Sequence, residues 1–534
     1  MKVLAPELLY SLLFSFLLTS TSPAQSSPAA SNATCKIDKT PPTDTEVAFY
    51  RRDFKKAADL AAAGYKADPK DSRSRQLEID SLIGLGKLDD ARKMIDPWTL
   101  AEPTNPVAIV TAGELRYAEG DWIESYALML KALKIDPCLP SAYEGLAGYE
   151  SLAGYHSTAQ KHLALAHQLS PNNDNIRFAW INSLNDAQST AELASFIHDS
   201  KTLDDKRRTN LTTQLNQNTS SLKNRCELSS VTTPVRIPMT PVYGAAGIDH
   251  YGLEIAFNGH KRTLQIDTGA SGFLLTQSVY AGMGLQKISS SHVWGFGDQE
   301  ANAIDLFTAA SVRIGGVEFK NCNVSVLDNF GVLGGGHIGQ AMDTGGGLVG
   351  TDIFSRYLVT LDYVKHEIRL EPLPQPPSPA PAPLDALGGD PANDLSSFDR
   401  FKAPTMQNWT SIYRRDHLII MPTVINSSKP TLFVVDTGSF TNMIDTNFAK
   451  QVTHTKESTT YSRGLSGMSN LLETGSFTAD FAGLRLPVVG MNSQNLSRFN
   501  GVHGFLGYPT LQQLVMHIDY RDNLVLFEAP NAHK

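Results

Sequence analysis

Three Asp-Thr-Gly tripeptides occur in this 534-residue chain, at Asp267, Asp343 and Asp436. Two of them end an apolar, strand-like run, in "TLQIDTGA" and "TLFVVDTGS". Two such carboxylates brought ~3 Å apart cannot both ionise cheaply, so they share a proton and titrate as a pair. The ionised member can act as general base on a water while the protonated member polarises a scissile carbonyl. That chemistry needs no metal and no cofactor. Thr268 and Thr437 carry hydroxyls suited to bracing an opposing loop, and Gly269 and Gly438 let a backbone N–H approach a carboxylate closely. The residue after each Gly differs, Ala270 in one copy and Ser439 in the other. A Ser439 hydroxyl bonded to the carboxylate would favour its charged form, which predicts an uneven pair with Asp436 the more readily ionised.

The elements that must position these residues occur twice. Asp267 and Asp436 lie 169 residues apart, and Gly295 in "HVWGFGD" stands opposite Gly464 in "YSRGLSG" at the same offset. Further on, "LVGTDIFSRYLVTLDY" (348–363) faces "FLGYPTLQQLVMHIDY" (505–520), pairing Gly350 with Gly507, Asp362 with Asp519 and Tyr363 with Tyr520. Pro509 replaces Asp352 in the second copy, so the loop there differs. Asp343 has no apolar strand before it and lies in a glycine-rich loop, so it is read as a chance copy. Asp362 and Asp519 are read as turn residues of a closing hairpin. Alternating segments such as "HYGLEIAFNG" and "LIIMPTVINSSKPTLFVVDTGSF" mark both halves as β.

Upstream the period changes. Pro69, Pro103, Pro137 and Pro171 recur every 34 residues, as do Gly86, Gly120 and Gly154. Ala57, Ala91 and Ala159 share that period, with Ser125 in the remaining place. Between them lie helix-compatible stretches such as "GDWIESYALMLKALKIDP". The pattern predicts pairs of short antiparallel helices, with a small residue at their contact and Gly at their tight turn. It resembles the tetratricopeptide repeat, in four units over about residues 38–173 with a helical cap to about 205. The resemblance implies a concave face able to hold a peptide or partner protein, although the early Trp usual in each unit is missing.

Composition is that of a globular chain, 41% hydrophobic and 19% charged, with a formal net charge of −8. No Lys/Arg block is present, which argues against nucleic acid as a partner. The N-terminus has Lys2, an apolar run from Leu8 to Leu18 and the small-residue end Ser22-Pro23-Ala24. This layout predicts a secretory signal peptide over residues 1–24, too short to span a membrane core that needs ~20 apolar residues. The protein is expected to be secreted or periplasmic, with no stable membrane span after cleavage. Cys35, Cys138, Cys226 and Cys322 are even in number and suit disulfides, with three connectivities open. No C-x-x-C pair exists, and His250, His260 and His292 have no metal-ligand spacing, so no metal site is expected. A Thr/Asn/Ser-rich stretch reads as a linker over 206–244, and "PLPQPPSPAPAP" as a stiff connector over 373–399.

Residues 245–372 and 400–529 each resemble the retropepsin-type (gag-polyprotein-type) aspartyl protease unit. The resemblance implies a multidomain protein, in which the all-α repeat array precedes an all-β duplicated protease fold in a bilobal, pepsin-like arrangement. It implies Asp267 and Asp436 as the catalytic dyad, with Thr268, Gly269, Thr437 and Gly438 supporting them. It places flaps at Trp294, Gly295, Phe296 and Gly297, and at Gly464, Leu465, Ser466 and Gly467. The implied activity is an aspartic endopeptidase acting on a peptide or protein substrate without cofactor. Two rivals stand beside it: an inactive peptide-binding protein of the same fold, and a dyad formed between two chains.

Overall fold

The computed structural model describes residues 35–223, 226–228, 233–244, 247–293, 302–327, 346–376, 399–463, 468–488, 490–496 and 501–529. The expected signal peptide, Asp343, the expected flap residues and most of the Pro-rich connector lie outside the described residues.

Eleven helices among the described residues make up the N-terminal region, from Asp44–Tyr50 to Asp205–Lys223. Most start on a side-chain cap, as where Asp53, Asp71, Asn105 and Asp121 accept backbone N–H groups of the first turn. Gly120 and Gly154 end the helices Pro106–Glu119 and Pro140–Ala153 in the left-handed conformation, with φ of 87° and 91°. That geometry is cheap for glycine and turns the chain directly into the next helix. Ala57, Ala91, Ser125 and Ala159 are all buried, so the helices of each pair approach closely at the small residue.

The stretch 206–244 is not the irregular linker its composition suggests. It carries the helix Asp205–Lys223 and the strands Val235–Pro238 and Thr240–Gly244. Thr and Asn have low helix propensity, but Leu211 and Leu215 pack on Ile181, Leu193 and Phe196, and this burial overrides propensity. Just beyond the helix, Cys226 is disulfide-bonded to Cys322 on the strand Val317–Leu327, tying the array to the first β lobe. The other disulfide joins Cys35 to Cys138 within the array, so one of the three connectivities is selected.

Among the described residues the remainder is mostly β, in three sheets. A nine-stranded sheet forms the first lobe and a ten-stranded sheet the second. In the first, His260–Asp267 runs parallel to Gly347–Gly350, setting Asp267 beside Gly350. In the second, Thr431–Asp436 runs parallel to Val502–Gly507, setting Asp436 beside Gly507. A six-stranded sheet is shared, because Tyr357–Asp362 pairs antiparallel with Val515–Asp519. The Asp-Tyr segments matched in sequence therefore pair with one another across the lobes. Asp362 and Asp519 each cap the following turn, accepting the N–H of Lys365 at 2.9 Å and of Asp522 at 3.0 Å.

The array packs on the second lobe through its tight turns. Trp122, Tyr149 and Leu152 share a core with Tyr413, Val434, Val502 and Phe505. Trp122 meets Tyr413 edge-on at 4.9 Å, and Asn523 Nδ2 donates to Leu152 O at 3.0 Å. Gly120 and Gly501 touch backbone to backbone, leaving no room for a Cβ on either. Trp122→Ala is expected to cost about 3–5 kcal/mol and to loosen the array from the lobe. Chemical denaturation, with limited proteolysis of the junction, checks this.

Candidate active site

Each Asp-Thr-Gly follows a buried strand and opens a loop, and the two loops meet where the lobes face. The Thr268 N–H donates to Thr437 Oγ1 at 3.0 Å, and the Thr437 N–H donates to Thr268 Oγ1 at 3.0 Å. Each hydroxyl then donates onward, Thr268 Oγ1 to Val435 O at 2.8 Å and Thr437 Oγ1 to Ile266 O at 3.2 Å. Both Thr residues are 1% exposed, so every polar group in this bridge is satisfied without water. Beside the bridge, burial pushes the Tyr363 phenol far above its usual range.

The bridge brings the carboxyls of Asp267 and Asp436 together, each against the glycine of the opposite loop. The Gly269 N–H donates to Asp267 Oδ1 at 2.7 Å, and the Gly438 N–H to Asp436 Oδ1 at 2.9 Å. A Cβ on Gly269 would come within 2.7 Å of the Asp436 carboxylate, and one on Gly438 would overlap that of Asp267. Neither glycine is needed for a positive φ; each is needed for room. Burial, reinforced by the charge of Asp436, holds Asp267 well above the usual carboxylate range. Burial raises Asp436 as well, but the bond from Asp267, the Gly438 and Ser439 N–H groups and the nearby His417 offset it. Asp436 Oδ1 accepts the N–H groups of both Gly438 and Ser439, whereas Asp267 Oδ1 accepts that of Gly269.

The cause that the sequence reading gave for an uneven pair is not what the structure has. The Ser439 hydroxyl donates to Thr441 O at 2.8 Å rather than to a carboxylate; it is the Ser439 N–H that reaches Asp436 Oδ1, at 3.1 Å. Any residue but proline offers that N–H. Ser439→Ala is accordingly expected to leave the acid limb of a pH–rate profile unmoved.

Four further residues shape the site. Asp352 accepts from Ser271 Oγ at 2.6 Å and the Gly272 N–H at 3.0 Å, holding the first loop. In the second lobe, where Pro509 stands, Asn442 Oδ1 takes over and accepts the Gly507 N–H at 2.8 Å and Thr510 Oγ1 at 3.0 Å. Gln265 Nε2 reaches Gly438 O at 3.4 Å, and His417 Nε2 reaches Gly269 O at 2.9 Å. Gln265 had a signal, as a polar residue inside an apolar strand run. His417 had none.

Trp294, Gly295, Phe296 and Gly297 fall in the gap between the antiparallel strands Gln286–Val293 and Asn302–Ile314. Gly464, Leu465, Ser466 and Gly467 fall between Thr455–Arg463 and Met468–Thr474, also antiparallel. Among the described residues no group of three or more His, Cys, Asp or Glu is placed to hold a metal ion. No helix among them is long and apolar enough to cross a membrane.

Residues 253–353, the stretch that holds Asp267, match a family described as Aspartyl protease. No curated protein matches the chain. Similar solved structures include an aspartic proteinase from Irpex lacteus, 12% identical over 56% of this chain and 98% of that one, with a TM-score of 0.33. They also include a thermophilic TPR protein of Thermus thermophilus, 15% identical over 33% of this chain and 95% of that one, with a TM-score of 0.27. A third is the APC/C hetero-tetramer Cut9–Hcn1, 17% identical over 33% of this chain and 34% of that one, with a TM-score of 0.30.

Proposed function

We propose that the protein is an exported aspartic endopeptidase made of two protease units in one chain, with the helical array recruiting a substrate or partner protein. The observation that carries the reading is that two Asp-Thr-Gly loops, locked together by reciprocal Thr hydrogen bonds, set Gly269 against the Asp436 carboxyl and Gly438 against that of Asp267. In this reading Asp436, ionised, takes a proton from a water molecule. Asp267, protonated, donates a hydrogen bond to the oxygen of the scissile carbonyl. Water oxygen then bonds to the carbonyl carbon, and proton transfer to the amide nitrogen releases the amine as the C–N bond breaks. Thr268 and Thr437 hold the loops, and Gly269 and Gly438 fix the carboxylate planes. Trp294–Gly297 and Gly464–Gly467 are the flaps of this reading.

Export is supported by the N-terminal sequence pattern and by two disulfides, which persist in oxidising compartments. Recruitment is supported by a cleft of about 1320 Å³ between the array and the second lobe. Arg73, Asp80, Glu114 and Glu144 line it on the array side, Phe448 and His503 on the lobe side.

Digestion of a denatured protein mixture from pH 3 to pH 8, with and without pepstatin, tests the proposal. Cleavage that pepstatin blocks and Asp267→Asn abolishes supports it. A folded protein that cuts nothing at any pH would instead be a peptide-binding relative of the fold. An active species that sizes as a monomer supports pairing within one chain.

A further inference from the structure

Each active-site loop is held by a side chain from the opposite lobe, and the two holders differ chemically. Gln265 of the first lobe donates Nε2 to Gly438 O at 3.4 Å, and His417 of the second lobe meets Gly269 O at 2.9 Å. A carbonyl only accepts, so His417 must carry its proton on Nε2. Gly269 is thereby fixed at both ends, its N–H on Asp267 Oδ1 and its C=O on the imidazole. The imidazole is itself held in place. His417 and Asp416, the latter at φ 55°, form the two-residue turn of the hairpin Tyr413–Arg415 to Leu418–Ile425. The Arg414 guanidinium clamps that turn, donating to Asp416 O at 2.7 Å and to Tyr520 O at 2.6 Å.

We propose that His417 is a positioning residue of the dyad, which both locks the Gly269 loop and places a titratable cation on the Asp436 side. An amide such as Gln265 can do only the first of these. An imidazole can take up a second proton as the pH falls, while Nε2–H continues to donate. Arg414, Arg415 and Asp416 lie on its own hairpin; Gly269, whose carbonyl it meets, bonds Asp267 and adjoins the Asp436 carboxyl; and Asp352 of the first lobe interacts with Arg414. The sign is fixed: a cation stabilises the charged form of Asp436, lowers the pH at which the dyad becomes doubly protonated, and extends activity toward acid.

The proposal rests on the peptidase reading for its kinetic consequences, so its test pairs turnover with a signal that does not need turnover. His417→Phe removes donor and charge; His417→Gln keeps an Nε2 donor and removes the charge. In the full-length protein, H417F is expected to lower kcat/KM about 10- to 100-fold through loop misplacement. H417Q is expected to restore most of that loss, yet to move the acid limb up by about half a pH unit to one unit. The ¹³C carboxyl resonances of Asp-labelled protein, assigned with D267N and D436N, should move in H417Q by the same amount and direction. A wild-type profile and unmoved carboxyl titration in H417Q overturn the proposal, as does an H417F enzyme as active as the wild type. A protein that hydrolyses nothing but shows the shifted carboxyl titration in H417Q defeats the peptidase reading and leaves the positioning role standing.

Discussion

An Asp436→Asn variant is expected to lose at least about 10³-fold in kcat, because the general base is gone while the substrate cleft remains. Asp267→Asn should lose a similar factor for the complementary reason: an amide can donate a hydrogen bond to the carbonyl but cannot release and regain the proton. Both variants keep the Thr bridge, since neither Thr268 nor Thr437 bonds a carboxylate, so folding is retained. The two also differ from the wild type in how stability depends on pH. Asp267 binds its proton more tightly folded than unfolded. Its contribution is therefore complete below the unfolded carboxyl value and lost as the pH rises through the folded one. D267N has no such proton to lose. At pH 7 its melting temperature should exceed that of the wild type, and near pH 3 the difference should vanish. Calorimetry at the two pH values checks this beside the activity assay. A dead enzyme that is also destabilised at pH 7 would point to damaged folding instead of lost chemistry.

Gly438→Ala should be nearly as damaging without touching a carboxylate. The new methyl would overlap the Cγ and both oxygens of Asp267, which sits against the Thr bridge and cannot swing away. Overpacking of this kind costs about 1–3 kcal/mol. Displacing a reacting group by about 1 Å is enough for a 10²-fold loss in rate. Gly483→Ala makes a control: that glycine has φ of 79° in a turn with open space around it, so its substitution strains the backbone but leaves the dyad untouched. Activity per folded molecule, measured beside denaturant unfolding, separates the two. G438A should lose rate far in excess of its lost stability, and G483A should lose stability alone.

How much of this was legible in the sequence follows from how local each constraint is. The Asp-Thr-Gly loops and their apolar-apolar-Gly partners were visible because backbone geometry imposes the same short pattern twice, and the strand Gly347–Gly350 beside Asp267 is its direct product. The 34-residue helical period was visible because each pair needs its own small contact residue and turn glycine. The helix Asp205–Lys223 was hidden by Thr and Asn, since what stabilises it is Leu211 and Leu215 against helices formed earlier in the chain. Ser439 misled because its hydroxyl donates to Thr441 O, two residues on, instead of to a carboxylate. His417 and Gln265 act on loops 148 and 173 residues away, and no local pattern encodes a contact that exists only once two lobes meet.

The close backbone contact of Gly120 with Gly501 has a consequence for any chain that occupies the cleft of the array. With the array seated on the second lobe and stapled to the first through Cys226–Cys322, cleft and carboxyls sit at a constant separation. A polypeptide gripped in the one can reach the other only through an intervening stretch long enough to span that gap. The protein would then work as a ruler, choosing a bond by its distance along the chain from the gripped element as much as by the side chains flanking it.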